Sequence, residues 1–374
     1  MKHSFFLLLL LTLCCSTNTS FAQTTLAEKI HAVFEPEFSS NRPGGAILLQ
    51  KGDRVIYQAN FGLADLGTQL PVTENTIFNT GSITKTFVAY GILILQEEGK
   101  LHIDDPLTQY FGDFQHPEIL EGVTLRHLLT HTSGIPDLRP IKEKSEFYLT
   151  AGDPENFAPL KAADSLDFAP GTQWRYSNPA FNGLALIIEQ VSGQVWQDFI
   201  AERIFRPAGM KDSRITNGAY PHEGVAHAYR EEEGKLSEYD YGEYPTFCAS
   251  GNGGVWCSIK DLIRYEKAIQ EHRFLGSELT ELSRTLYVPD EWKASYEPFM
   301  GYSWFLGEDM LGLEELLGTT VVQHTGSQAG FNSWLVILPE KDIVFAGLFN
   351  QQQEKFRELM GRTLYLLRDN AWGE

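Results

Sequence analysis

Ser82 and Lys85 stand three residues apart in FNTGSITKTFVAY (78–90), at the start of a helical pattern. Residues three apart share a helix face, so a hydroxyl and an amine can meet there. Two readings are open: a nucleophile with its base, or a helix cap followed by a solvated lysine. The chemical reading makes a demand. At the ordinary pKa near 10.4 about one lysine in 2,500 is neutral at pH 7, so burial or a nearby cation must lower it. Ser-x-x-Lys arises about once by chance in an ordinary chain of this length, so other residues must decide.

Two more stretches carry chemistry: Trp174-Arg-Tyr-Ser-Asn178, and Gln323-His-Thr-Gly-Ser327 just before the apolar run FNSWLVIL. Taken alone, Tyr176 reads as a half-buried aromatic and Asn178, ahead of Pro179, as a helix N-cap. His127 and His131 in RHLLTHTSG have a spacing that can hold zinc. No Glu follows the first, and no third ligand is evident, so they read as a helix face near its end. The glycines of ASGNGG lack the Lys-Ser/Thr of a phosphate loop and read as a tight turn beside a pocket. No metal and no cofactor is expected.

The elements that must position these groups show a pattern. Leu26, Ile30, Val33 and Phe34 recur at helical spacing and Pro36 closes the segment. GAILLQ and RVIYQANFG then flank the turn KGD. At the other end FNSWLVIL and IVFAGLFNQ flank PEKD, and a last helix carries Phe356, Leu359, Met360, Leu364 and Leu367 on one stripe. Neither hairpin is stable alone, so both ends should join in one sheet. From about 87 to 270 the pattern is mostly helical, with a capping box at Ser258–Asp261 and a helix stop at Gly193. The expected fold is α+β: a mainly antiparallel sheet with helices on both faces, plus an inserted, mostly helical lobe. The domains expected are a discontinuous α/β lobe (23–86 and 310–374) and a helical lobe (87–309). Pockets favour seams, so the site should lie between them.

Lys2, the apolar run FFLLLLLTL and Ser20-Phe21-Ala22 read as a secretory signal peptide over 1–22. The run is too short to span a bilayer, and the mature chain is expected to be exported and without a membrane span. Cys14 and Cys15 raise a lipoprotein alternative, but neither is preceded by a small residue. The formal charge of −19 becomes −20 without the leader. That field repels nucleic acid and serves solubility. Cys248 and Cys257 can bridge in an oxidising compartment or remain two buried thiols. The sequence carries no signal for oligomeric state.

The order Ser-x-x-Lys, Tyr-x-Asn, His-Thr-Gly resembles the penicillin-recognising serine hydrolases: class C β-lactamases, DD-peptidases and related esterases and D-amino-acid amidases. THTSGIPD (130–137) and GNGGVWCSIKDL (251–262) are similar to that family's recurring segments. The resemblance implies Ser82 as nucleophile, Lys85 as the amine that takes or relays its proton, and Tyr176 sharing that proton. It implies Asn178 holding the substrate amide and orienting Lys85. His324, Thr325 and Gly326 would form a substrate-binding strand edge, with Gly326 admitting substrate backbone, and the N–H groups of Ser82 and Ser327 an oxyanion hole. Where class C enzymes carry Lys-Thr-Gly this chain has His324, expected to titrate near pH 6.5, and to hold a carboxylate less reliably. Tyr-Ser-Asn also replaces the Ser-Asp-Asn of class A enzymes. The activity implied is an exported hydrolase acting through an acyl-enzyme on amides or esters, with D-amino-acid peptides of cell-wall type as leading substrate. An esterase on the same site, or a non-catalytic peptide or β-lactam binder, are the alternatives.

Overall fold

The computed structural model describes residues 24–143, 147, 151–216, 224–238, 250–306, 317–352 and 355–373. Its centre is a five-stranded antiparallel sheet built from both chain ends. The strands are β1 (Gly45–Lys51), β2 (Arg54–Phe61), β5 (Val322–Gln328), β6 (Phe331–Leu338) and β7 (Ile343–Phe349), in the order β5-β6-β7-β1-β2. The chain ends meet where β1 pairs with β7, Gly45 opposite Phe349 and Lys51 opposite Ile343.

Alternation along the strands divides two cores. Ile47, Leu49, Trp334, Val336, Ile343 and Phe345 pack under α1 (Leu26–Phe34) and α5 (Phe356–Asp369). Ala46, Leu48, Leu335, Ile337, Val344 and Ala346 face the larger core with α4 (Ile259–Gln270) and the helices of the middle segment. Helices thus cover both faces of an antiparallel sheet, the α+β arrangement expected from the sequence.

Within the middle segment α2 (Thr84–Glu97) is buried from Thr84 to Leu95, and α3 (Asn178–Ser192) packs beside it. A helix apolar all round belongs in a core rather than on a surface. A small sheet accompanies them: β3 (Ile77–Asn79) pairs with β4 (Val255–Ser258), which also pairs with Arg214–Ile215. Among the described residues no helix is long and apolar enough to cross a membrane. The leader reading at 1–22 and the Cys248–Cys257 question lie outside the described residues. Cys257 itself is buried in β4, where burial pushes its thiol pKa up.

Candidate active site

Ser82 is seated by the edge of the small sheet. After β3 the chain turns at Gly81, whose φ of 53° suits glycine. Asn79 locks the turn, its Oδ1 accepting from Gly81 N–H at 2.8 Å and its Nδ2 donating to the Gly253 carbonyl at 3.0 Å. Thr80 donates to the Val255 carbonyl from both N–H and hydroxyl, and Thr84 Oγ1 accepts from Val255 N–H at 3.0 Å. Ser82 lies in the 3₁₀ turn Gly81–Ile83 that leads into α2. The start of a buried helix favours negative charge.

Lys85 is 0% exposed, which removes the surface-lysine reading. Its Nζ lies 3.0 Å from Ser82 Oγ, 2.7 Å from the Asn252 carbonyl oxygen and 5.0 Å from the Tyr176 ring centroid. Burial holds the amine well below the usual lysine range, and the Arg139 guanidinium adds to the effect. Arg139 is itself held, donating from Nε and Nη2 to Asp137 at 2.9 and 2.7 Å and from Nη1 to Asn156 at 2.9 Å. A lowered lysine pKa, the demand the chemistry makes, is present.

Tyr176 is bracketed by His131. The His131 carbonyl accepts from Arg175 N–H at 2.9 Å, its Nδ1 accepts from Ser177 N–H at 3.0 Å, and its ring centroid lies 4.4 Å from that of Tyr176. An Nδ1 that accepts carries no proton. Burial, Lys85 and His324 accordingly hold the His131 pKa well below its ordinary value. The helix-face reading is corrected here, because His131 lies beyond the short helix Leu125–Leu129 with a left-handed φ of 59°. His127 remains on that helix and caps it at Thr124 N–H, 3.1 Å away, its pKa pushed to about 4 by burial and Arg126.

Asn178 is the first residue of α3 rather than its cap. The cap of α3 is Ser177, whose Oγ accepts from Ala180 N–H at 3.3 Å. Among the described residues the groups on Lys85 Nζ are Ser82 and the Asn252 carbonyl, not Asn178. A backbone oxygen from the segment read as a tight turn, here the short helix Ser250–Gly253, orients the lysine instead.

The third wall is β5, which among the described residues is the outermost strand of its sheet and is bridged by Phe305 at Gln323. His324 is 1% exposed, and its Nδ1 meets the Thr325 carbonyl at 2.7 Å. A carbonyl only accepts, so Nδ1 carries the proton. Burial and Lys85 push the imidazole pKa down to about 3, so it is neutral where titration near 6.5 was expected. The reason is physical: burial and the neighbouring amine outweigh the Thr325 carbonyl, which favours the charged ring. Gly326 has a second reason to be bare. A Cβ there would lie 2.0 Å from the Thr80 carbonyl oxygen, so its bareness admits the chain entering the Ser82 turn. The same approach brings Ser327 beside that turn, its N 2.9 Å from where a Cβ on Gly81 would stand. Thr325 is half-buried and Ser327 exposed.

A polar cluster behind Lys85 was not foreseen. Asn252 Nδ2 donates to Asn182 Oδ1 at 2.9 Å, and Asn182 Nδ2 donates to Asp153 Oδ1 at 2.6 Å. Asp153 is buried, and burial pushes its carboxyl up to about 6 against four hydrogen bonds. One signal existed: Asn182 follows Asn178 by one helical turn. For Asp153 and Arg139 there was none.

A helix-covered antiparallel sheet with Ser and Lys paired at the head of a buried helix defines an acyl-transferring serine hydrolase scaffold. The Beta-lactamase family model matches residues 25–369, and the chain belongs to that family. It is 27% identical over 319 residues to penicillin-binding protein 4* of Bacillus subtilis, covering 82% of this chain and 68% of that protein. It is 27% identical to esterase EstB of Burkholderia gladioli, over 83% of this chain and 86% of the esterase. The octameric penicillin-binding protein homologue from Pyrococcus abyssi superposes with a TM-score of 0.74 at 28% identity, covering 91% of this chain and 76% of the homologue.

Proposed function

We propose that the protein is exported and cleaves amide or ester bonds through an acyl-enzyme on Ser82, with D-amino-acid peptides of cell-wall type as its substrates. The observation that carries this reading is the 3.0 Å approach of Ser82 Oγ to a lysine buried enough to favour its neutral form. Lys85 takes the Ser82 proton as Oγ attacks the carbonyl carbon. The oxyanion forms toward the backbone N–H groups of Ser82 and Ser327, each such donor being worth about a hundred- to a thousandfold in rate. Tyr176 shares the proton and passes it to the leaving amine or alcohol. Water then releases the acyl group. Asn178, His324, Thr325 and Gly326 line the substrate's path, where the strands of the 23–86 and 310–374 lobe meet the inserted 87–309 lobe.

One observation favours an esterase as the second reading. A neutral His324 offers no charge to a substrate carboxylate, so the site does not demand the terminal carboxylate of a carboxypeptidase substrate. Intact-mass analysis after incubation with a fluorophosphonate and, separately, a penicillin tests both readings. Both adducts support a penicillin-recognising site, the fluorophosphonate adduct alone supports an esterase or a peptidase that does not take β-lactams, and no adduct overturns the acyl-enzyme.

A further inference from the structure

A neutral lysine can act as base only when its lone pair faces the proton it removes. The amine rotor on Lys85 must therefore be fixed. The Asn252 carbonyl accepts one of its N–H bonds at 2.7 Å, and Ser82 Oγ lies 3.0 Å from the same Nζ. The carbonyl belongs to a short segment, and that segment is tied at two points to one oxygen atom. Gly251 N–H donates directly to Asp153 Oδ1 at 2.8 Å. The Asn252 side chain reaches the same Oδ1 through Asn182.

The chain of donors has one direction. A carboxylate accepts only, so Asn182 must turn its Nδ2 to Asp153 and its Oδ1 to Asn252. The other carboxylate oxygen, Oδ2, accepts from Trp196 Nε1 at 3.0 Å, outside the segment, and from Ser250 Oγ at 3.4 Å, at the segment's first residue. Neither carboxamide in the path relays protons, so Asp153 is not a second base.

We propose that Asp153, through Gly251, Asn182 and Asn252, is a positioning residue that sets the Asn252 carbonyl and thereby aims the Lys85 amine at Ser82. The proposal rests on the reading of Ser82 and Lys85 as nucleophile and base. In Asp153→Asn one of the two carboxylate positions becomes a donor facing donors, and the direction of the Asn182 amide is no longer imposed.

The test is inactivation of the full chain by a fluorophosphonate, with the concentration dependence separating initial binding (KI) from the acylation-like step (kinact). Asp153→Asn should lower kinact at least about tenfold with KI within about twofold, since misplacing a reacting group by about 1 Å can cost a hundredfold. Trp196→Phe removes a bond to the same carboxylate on the Oδ2 side and should keep kinact within about twofold. Equal kinact in Asp153→Asn and wild type, or an equal loss in Trp196→Phe, overturns the proposal. Should Asp153→Asn fail to fold, Asn252→Ala cuts the same path while keeping the carbonyl. A several-fold fall in its kinact supports the proposal and a wild-type value overturns it. Absence of labelling in the wild type removes the Ser82 reading and this one together, whereas equal labelling of wild type and variant removes only this one.

Discussion

Lys85 Nζ donates to the carbonyl oxygen of Asn252 at 2.7 Å across 167 positions of sequence. This contact joins the head of α2 to the segment that precedes β4, the strand on which β3 and the Ser82 turn are also built. Serine and its lysine are therefore seated on one anchored unit. The carbonyl favours any proton on Nζ while burial disfavours a third one, and burial is the larger influence.

If Lys85 is the base and Tyr176 shares its proton, Lys85→Ala and Tyr176→Phe should each slow acylation at least about a hundredfold, the low end of general-base effects, with little change in initial binding. Stopped-flow acylation by an activated ester measures both quantities. Survival within a few-fold in either variant removes that residue from proton transfer.

Arg139 helps to keep Lys85 neutral from a neighbouring, largely buried position. Arg139→Gln removes a cation, so the lysine pKa should rise and less of the amine should be neutral at a given pH. The ascending acid limb of kcat/KM should therefore move to higher pH. Profiles of both proteins with an uncharged ester decide the matter, and a limb that stays in place or moves down contradicts the assignment.

The terminal hairpins were legible because β-type runs flank the turns KGD and PEKD, whereas the division of Ala46 and Leu48 from Ile47 and Leu49 between two cores was not, since all four are apolar. Ser82 and Lys85 were legible as a pair because side-chain spacing on a helix is a sequence property. The lysine's partner was not, since Asn252 acts through a backbone oxygen and leaves no side-chain signature. Asp153 was invisible for a related reason: one carboxylate 99 positions from Asn252 acquires meaning only when three segments pack around it. β3 has three residues and β4 four, too few for alternation to register. The neutrality of His324 depends on burial by Phe305 and on Lys85, both distant in sequence.

Acid should destabilise this fold in a particular window. His127 and His324 have folded pKa values near 4 and 3, and His131 is held well below 6.5, so between pH 6.5 and about 4 the unfolded chain binds protons that the folded chain does not. Their stabilisation is present above 6.5 and is lost as pH falls. Asp153, raised to about 6, opposes this, because from 6 down to 3.8 its folded form binds the extra proton. His127 and His324 against Asp153 give a net loss of roughly 2 kcal/mol between pH 7 and 5, and His131 acts in the same direction. Urea unfolding at the two pH values checks it. A His324→Gln variant should lose less, by about 2 kcal/mol, and a stability that does not change with pH contradicts the neutral buried histidines.

The last expectation concerns what His324 offers a substrate. Its proton is on Nδ1, committed to the Thr325 carbonyl, and its pKa is pushed to about 3, so no charge appears on the ring across the working pH range. A substrate carboxylate should gain nothing there as pH falls through 6.5. Measured kcat/KM profiles for a carboxylate-bearing D-peptide and an uncharged ester should share their limbs, those limbs belonging to Lys85 and Tyr176. His324→Lys introduces a group that can carry charge, although burial beside Lys85 works against it. A charge-assisted hydrogen bond contributes about 1.5–3 kcal/mol, so the ratio of anionic to neutral kcat/KM should rise roughly tenfold or more at pH below that lysine's pKa. Both substrates on both proteins are needed, because a general-base effect lowers the two together and leaves their ratio unchanged. A wild-type decline through pH 6.5 confined to the anionic substrate would show a charged His324, and would return the site to carboxylate recognition.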